Sequence, residues 1–387
     1  MNKTFIGIFC IILDFNITMK DKLSFLPKLA LVLFCLISLT YIAILGHSLL
    51  APLLFSFLMA ILLLPLANTL EHKLKLKRSF STILSVIVMV VIIGGIVYFF
   101  GNQLSDLWQD WPLLKQKAGV SFNELQQWIS KTFNVNTQKQ LAYLNDSTEK
   151  ALATSATIVA TTLATLSSTL LFLGFTLLFT FFILNYRRIL FTFLTSVFKE
   201  EHKEKVGEIV SQIQYIIKKY IIGLFLQMLI VTVLMMAVLS LLGVKYAVLL
   251  GLVAGIFNVV PYLGIFFALL ISCLITFATA GAGKVLLVLI AFVGVHAIDG
   301  NILMPLVVGS KVKINALIAF LGIIVGEMVW GISGMFLCIP YLAILKIIFD
   351  RVDTLKPWGL LMGEEHKPEK KKRVYRLTKK IQLQEKD

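Results

Sequence analysis

Residues 246–283 read YAVLLGLVAGIFNVVPYLGIFFALLISCLITFATAGAG. No Asp, Glu, Lys or Arg interrupts them, and a helix needs only about 20 apolar residues to cross the hydrocarbon layer. The run is longer than one crossing needs, and it carries Pro261 and several glycines. A proline removes a backbone N–H and crowds the carbonyl one turn earlier. The stretch therefore predicts a broken helix or a re-entrant hairpin at membrane depth. Such irregular backbone is tolerated only where protein or a water-filled cavity surrounds it.

The same absence of charge extends outward over 29–70, 79–105, 151–186 and 220–244. Two further runs, 285–310 and 314–345, are each broken by one acid, Asp299 and Glu327, and the second contains Pro340. Hydrophobic residues make up 58% of the chain and charged residues 15%, against about 45–50% and about 25% in soluble domains. The expected fold is all-α, a polytopic transmembrane helical protein. It has about eight spans, two Gly/Pro-broken segments and amphipathic interfacial helices. The spans fall at 28–47, 50–70, 79–100, 157–185, 220–242, 246–279, 285–308 and 314–349. A tight turn near His47, Ser48 and Pro52 separates the first two.

Five regions follow. Residues 1–24 form a cytoplasmic lead. Its apolar stretch Phe5–Leu13 is too short to span and lacks a small-residue cleavage site, so Met19 is an alternative start. Residues 25–100 hold three spans. Residues 101–156 form a polar external segment. Residues 157–349 hold five spans with a linker at 186–220, and 350–387 form a basic cytoplasmic tail. In the external segment Phe122, Leu125, Trp128 and Ile129 share a helical face, which predicts an amphipathic helix at the headgroups. With Trp108 and Trp111 nearby, an aromatic ligand patch is the alternative. In the linker Val206, Ile209, Val210, Ile213, Ile216 and Ile217 recur at helical spacing.

The net charge of +15 lies in short loops and the tail, where the positive-inside rule places it. That pattern predicts a multi-pass protein of the cytoplasmic (inner) membrane with both termini cytoplasmic. No basic face carries interleaved aromatics, which argues against nucleic acid. Cys10, Cys35, Cys273 and Cys338 have no metal-ligand spacing, and no metal or cofactor is expected. There is no phosphate loop, HExxH or nucleophile elbow, so the sequence points away from an enzyme and from ATP-driven pumping. Secondary or passive transport of a small polar solute or cation remains, with a non-transporting scaffold as the reading from another class.

Polar groups at membrane depth mark the candidate site. Asp299 has His296 three residues earlier on the same helical face, and Asn301 and Pro305 follow. Intramembrane acids usually face a cavity or a partner, and a carboxylate beside an imidazole can carry protons. Glu327 follows Gly326 and could pair with Lys245 or Lys313. Asn258 precedes the first break. Gln227 reads as a helix–helix hydrogen bond. GIFNVVPYLGI at 255–265 also resembles GMFLCIPYLAI at 334–344, and the same offset aligns Gly243 with Gly322. Paired Gly/Pro-interrupted spans point to a transport site whose freed carbonyls coordinate solute; plain kinks at Pro261 and Pro340 are the other reading.

Four stretches together resemble the autoinducer-2 exporter family of PerM-type permeases. They are PLLFSFLMAILLLPLANTLE, GLVAGIFNVVPYLG, IDGNILMPLVVGSKVKINAL and VWGISGMFLCIPYLAILKIIFD. The resemblance covers roughly 25–350. It implies a transporter that works without ATP hydrolysis, exporting an autoinducer-2-like signal or exchanging sodium for protons, and a homo-oligomer that could be a pentamer. Relatives often carry His-Pro where this chain has Asn315-Ala316, and a small residue where it has Glu327. Both departures set the substrate apart from the family name.

Overall fold

The computed structural model describes residues 25–114, 116–117, 119–120, 127, 155–260, 263–308 and 314–363. The lead and Met19, most of the external segment, Pro261, Lys313 and the tail from 364 lie outside them. The helices are α1 Phe25–Leu45, α2 His47–His72, α3 Arg78–Gln109, α4 Ser155–Asn185, α5 Arg187–Ser196, α6 Glu200–Leu241, α7 Ala247–Phe257, α8 Leu263–Ala280, α9 Ala282–Ile298, α10 Ala316–Arg351 and α11 Lys356–Met362. A π-helical stretch, Asp299–Val308, continues α9. Among the described residues seven helices are long and apolar enough to cross a membrane.

Ion pairs at the helix ends define two faces. At the first, Asp110 follows α3 and pairs with Lys245 at 2.6 Å in the turn between α6 and α7, where Tyr246 also donates to it. At the second, Glu71 at the end of α2 accepts from Arg187 and, at 2.9 Å, from Arg188 at the start of α5. Glu208 near the start of α6 lies 3.4 Å from Arg351 at the end of α10. Helices α2, α3, α4 and α6 each run between these faces.

The two broken runs do not cross. Lys284, at the start of α9, donates to the Gly243 carbonyl at 2.8 Å. The α7–α8 pair therefore begins and ends at the first face and is a re-entrant hairpin. Its first arm lies against α6 through small residues, as membrane helices allow when they must approach closely. A Cβ on Gly255 would fall 1.8 Å from Thr232 Oγ1, and one on Gly251 2.3 Å from Met236.

Helix α10 is a second hairpin, entering from the second face. A Cβ on Gly334 would fall 1.9 Å from the Gly326 carbonyl, and one on Gly322 2.6 Å from Cys338 Sγ, so residues 316–329 and 332–351 fold back on each other. The break is at Trp330 and Gly331, not at Pro340. Gly331 sits at φ +59°, ψ −139°, outside what an L side chain adopts without strain. Pro340 lies within the unbroken second arm, buried near Leu337 and Ala343. The internal sequence match therefore joins unlike places. Gly255–Phe257 closes a helix, whereas Gly334–Phe336 lies inside one. Gly243 occupies a turn at φ +62° and Gly322 a helix.

Helices α1 and α2 also depart from expectation. Only Gly46 joins them, and antiparallel helices need a connection of two to five residues. Trp330 donates to the Ala43 carbonyl at 2.8 Å and Tyr341 to that of Leu54 at 2.9 Å. One hairpin arm thus follows the chain across the bend at Gly46, and α1 leaves α2 without folding back on it. Its apolar side chains are mostly exposed.

Three buried clusters hold the molecule together. Met235, Leu239, Leu250, Ala268 and Phe292 join α6 to the first hairpin and α9. Leu58, Ile217, Ile221, Leu224 and Ile347 join α2 and α6 to the second hairpin. Met59, Leu63, Met89 and Leu184 join α2, α3 and α4. Helix α6 is thus the spine against which both hairpins pack.

The hairpins give a test of topology. In a background without native cysteines, Ser240→Cys and Gly283→Cys should react with a membrane-impermeant thiol reagent from the same side, and Thr354→Cys from the other. Eight full crossings would put Ser240 and Gly283 on opposite sides.

Candidate functional site

At about 1.5 Å per helical residue, Gln227 lies about 24 Å down α6 from Gly243 and Asp299 about 22 Å down α9 from Lys284. Asn258 caps α7 at the tip of the first hairpin. These three side chains meet. Gln227 Nε2 donates to both Asp299 oxygens, at 2.8 and 3.0 Å, and Asn258 Nδ2 to Oδ2 at 3.1 Å. All three residues are buried, Asp299 being 5% exposed. Among the described residues no Lys or Arg pairs with this carboxylate.

A carboxylate removed from water needs hydrogen bonds to stay there, and two neutral amides supply them here. Amide groups can also turn their oxygens inward. The cluster therefore has a donor face for a charged carboxylate and an acceptor face for a protonated one or for a bound cation. Carboxylate and amide oxygens suit a hard cation, but among the described residues there is no group of three metal-ligating His, Cys, Asp or Glu side chains.

His296 is half-buried one turn before Asp299, with its ring 5.7 Å from that of Phe292 and both ring nitrogens enclosed without a hydrogen-bond partner. It makes no hydrogen bond to Asp299, whose partners are Gln227 and Asn258. Asp299 also begins the π-helical stretch, a conformation that occurs frequently at functional sites. The chain departs from α-helical winding where its buried acid has to meet two other elements.

The other sequence candidates lie elsewhere. Asn301 is exposed and donates to its own helix at Ala297, 2.8 Å away. Pro305 lies in the π-helical stretch. Glu327 is exposed on the first arm of the second hairpin, and Lys245, one of its expected partners, is held by Asp110. Pro340 is buried in the second arm, away from the break. Gln227 is the residue that sequence reasoning undervalued. Its signal was a lone amide in an apolar run, and nothing in the linear chain showed that it would face Asp299.

These features define a polytopic helical membrane protein with a buried polar site between a spanning helix and a re-entrant tip. The chain belongs to the AI-2E family transporter group, whose family model matches residues 33–353. It is 36% identical to "Putative transport protein YrrI" of Bacillus subtilis over 106 residues, which are 27% of this chain and 30% of that protein. It is 28% identical to the AI-2 transport protein TqsA of Escherichia coli over 131 residues, 34% of this chain and 38% of that one. A "Putative transport protein" of Alkalihalophilus pseudofirmus is 23% identical over 312 residues, 76% of this chain and 79% of its own length. The matches to the first two B. subtilis relatives, YrrI and YueF, span only about 30% of each protein.

The geometry predicts unequal effects of two nearby polar substitutions. Gln227→Leu leaves Asp299 with one amide donor, and should lower stability by about 1–3 kcal/mol. Asn301→Ala removes only a bond within its own helix, and should stay within about 0.5 kcal/mol of the parent. Thermal unfolding in detergent compares them, and equal losses would detach Gln227 from the site.

Proposed function

We propose that this chain is a secondary or passive transporter of a small solute, working without ATP, in which Asp299 couples movement to a proton. The observation that carries the reading is the Asp299–Gln227–Asn258 cluster. It ties the tip of one hairpin to a spanning helix deep in the apolar layer. Hairpins that enter from opposite faces and approach each other near this depth can open the site to one side at a time. Protonating Asp299 removes its charge and so weakens its hold on the two amide donors, which loosens the Asn258 tip. A cation taking the place of that proton would act on the same three side chains.

The orientation belongs to this proposal. The second face carries Lys73, Lys75, Lys77, Arg78, Arg187 and Arg188, which by the positive-inside rule makes it cytoplasmic in an inner membrane. The homo-oligomer expected from the resemblance is also part of it, with α1 and α3 as the surface, since their apolar side chains are largely exposed. The family and its named relatives support transport over catalysis, and the AI-2 named for TqsA is one candidate solute.

Asp299→Asn in proteoliposomes is the test. Flux should fall and lose its pH dependence, while expression and detergent melting stay near the parent's. Asp110 supplies the control. Hydrogen bonds from Lys245 and then Tyr246 hold its carboxyl below the usual range, so the contribution of this tie is present above the ordinary Asp pKa of about 3.9 and is lost only as pH falls through the lower folded value. Asp110→Asn should therefore leave any pH dependence near neutrality in place. pH-dependent flux surviving in Asp299→Asn would remove Asp299 from coupling.

A further inference from the structure

The first hairpin starts on a tyrosine in a costly conformation. Tyr246 sits at φ +63°, ψ +28°, in the left-handed region where a bulky L side chain is strained and a glycine is not. Among the described residues Lys75 and Tyr246 are the non-glycine residues with positive φ. Tyr246 is built into three contacts. Its carbonyl accepts from the Leu250 N–H at 2.9 Å and so opens α7. Its hydroxyl donates to Asp110 Oδ2 at 2.5 Å. Its ring lies 4.9 Å from the Lys245 ammonium, which reaches the same Asp110 oxygen at 2.6 Å. One carboxylate oxygen thus holds both residues of the turn.

Asp110 stands on a different element from the one it holds. It follows α3, whose buried residues, Ser81, Thr82, Ser85 and Met89, all lie toward the second face. Beyond Met89 no residue of α3 is buried, and Phe100 and Leu107 lie only partly buried against the cluster that joins α6 to the first hairpin. Packing between α3 and the hairpin is therefore thin near the first face, where two polar bonds supply the tie. On the hairpin side, α7 is one helix from Ala247 to Phe257, with Tyr246 capping one end and Asn258 the other, about 18 Å apart. A change in the direction in which α7 leaves its turn is carried along the helix to the Asn258 bond with Asp299. We infer that Asp110 is a latch, fastening the root of the first hairpin to α3 against strain kept at Tyr246. With the latch closed, the turn is held left-handed and α7 stays in place. With it open, the tyrosine relaxes toward negative φ, and the arm that carries Asn258 can shift against α6. A turn without this load would use glycine, as the same loop does at Gly243, φ +62°. The latch's place in a transport cycle rests on the reading above, but its mechanics do not, since they need no change of charge at Asp299.

Hydrogen exchange of the full-length protein in lipid nanodiscs, read by mass spectrometry, is the test. Tyr246→Phe keeps the ring and the strained backbone and removes only the hydroxyl. Exchange over α7 should then rise several-fold, while exchange over α2 and α4 stays at the parent's rate. Tyr246→Gly loses ring and hydroxyl together, but it also loses the strain. Its α7 should exchange more slowly than that of Tyr246→Phe. A turn held only by its contacts would give the reverse order, because glycine removes more of them. That reverse order would overturn the latch. So would exchange in Tyr246→Phe that equals the parent's, or that rises equally in α2 and α4. Should Tyr246→Phe not fold, Asp110→Ala replaces it. That variant leaves Tyr246 in place and should give the same local rise over α7, and its absence would overturn the latch. Failure of transport reads differently. Solute flux in proteoliposomes with no local rise in the variants keeps transport and sinks the latch. A local rise with no flux of any solute keeps the latch and sinks transport.

Discussion

A carboxylate deep in an apolar layer has to be hydrogen-bonded, and at Asp299 no cation does this among the described residues. Two amides do, one from α6 and one from the tip of the first hairpin. An acid at membrane depth costs up to roughly 2.5–3.5 kcal/mol to insert, and its three hydrogen bonds offset part of that cost. The positions of α6, α7 and α9 are therefore linked. Shifting any one of them by a few ångströms would leave a buried carboxyl group without its partners.

Close backbone contact makes this arrangement possible. Without water between helices, packing and small residues decide which helices associate. Gly251 and Gly255 let the first hairpin lie against α6, and Gly326 and Gly334 let the second fold on itself. Each hairpin returns to the face from which it starts. Such reversals leave backbone groups unsatisfied by helix bonds and are tolerated only inside protein or beside a cavity.

Gly46 shows how a single residue alters topology. A charge-free run long enough for two spans suggests a hairpin, and the run here is that long. One residue cannot reverse a helix, however, and the Trp330 and Tyr341 side chains bond the chain on both sides of the bend. The apolar exterior of α1 then faces away from the rest of the chain, as expected of a segment surrounded by lipid or by another copy.

The sequence by itself determined the class. Charge-free runs longer than a bilayer is thick can fold only as membrane helices, and loop charge ranks the two faces. It also marked Asp299, His296 and Asn258, because a polar group in such a run has to be explained. The tertiary structure decided the rest. Whether a long apolar run crosses or returns depends on which ends meet, as Lys284 and Gly243 do, and hydropathy carries no information about that. The second break fell at Gly331 and not at Pro340, because a chain reversal needs a residue free to take positive φ, whereas a proline can remain in a helix that is packed on both sides. Gln227 became part of the site only when α6 and α9 were laid side by side, since its partners lie far along the chain and the amide bears no mark of them.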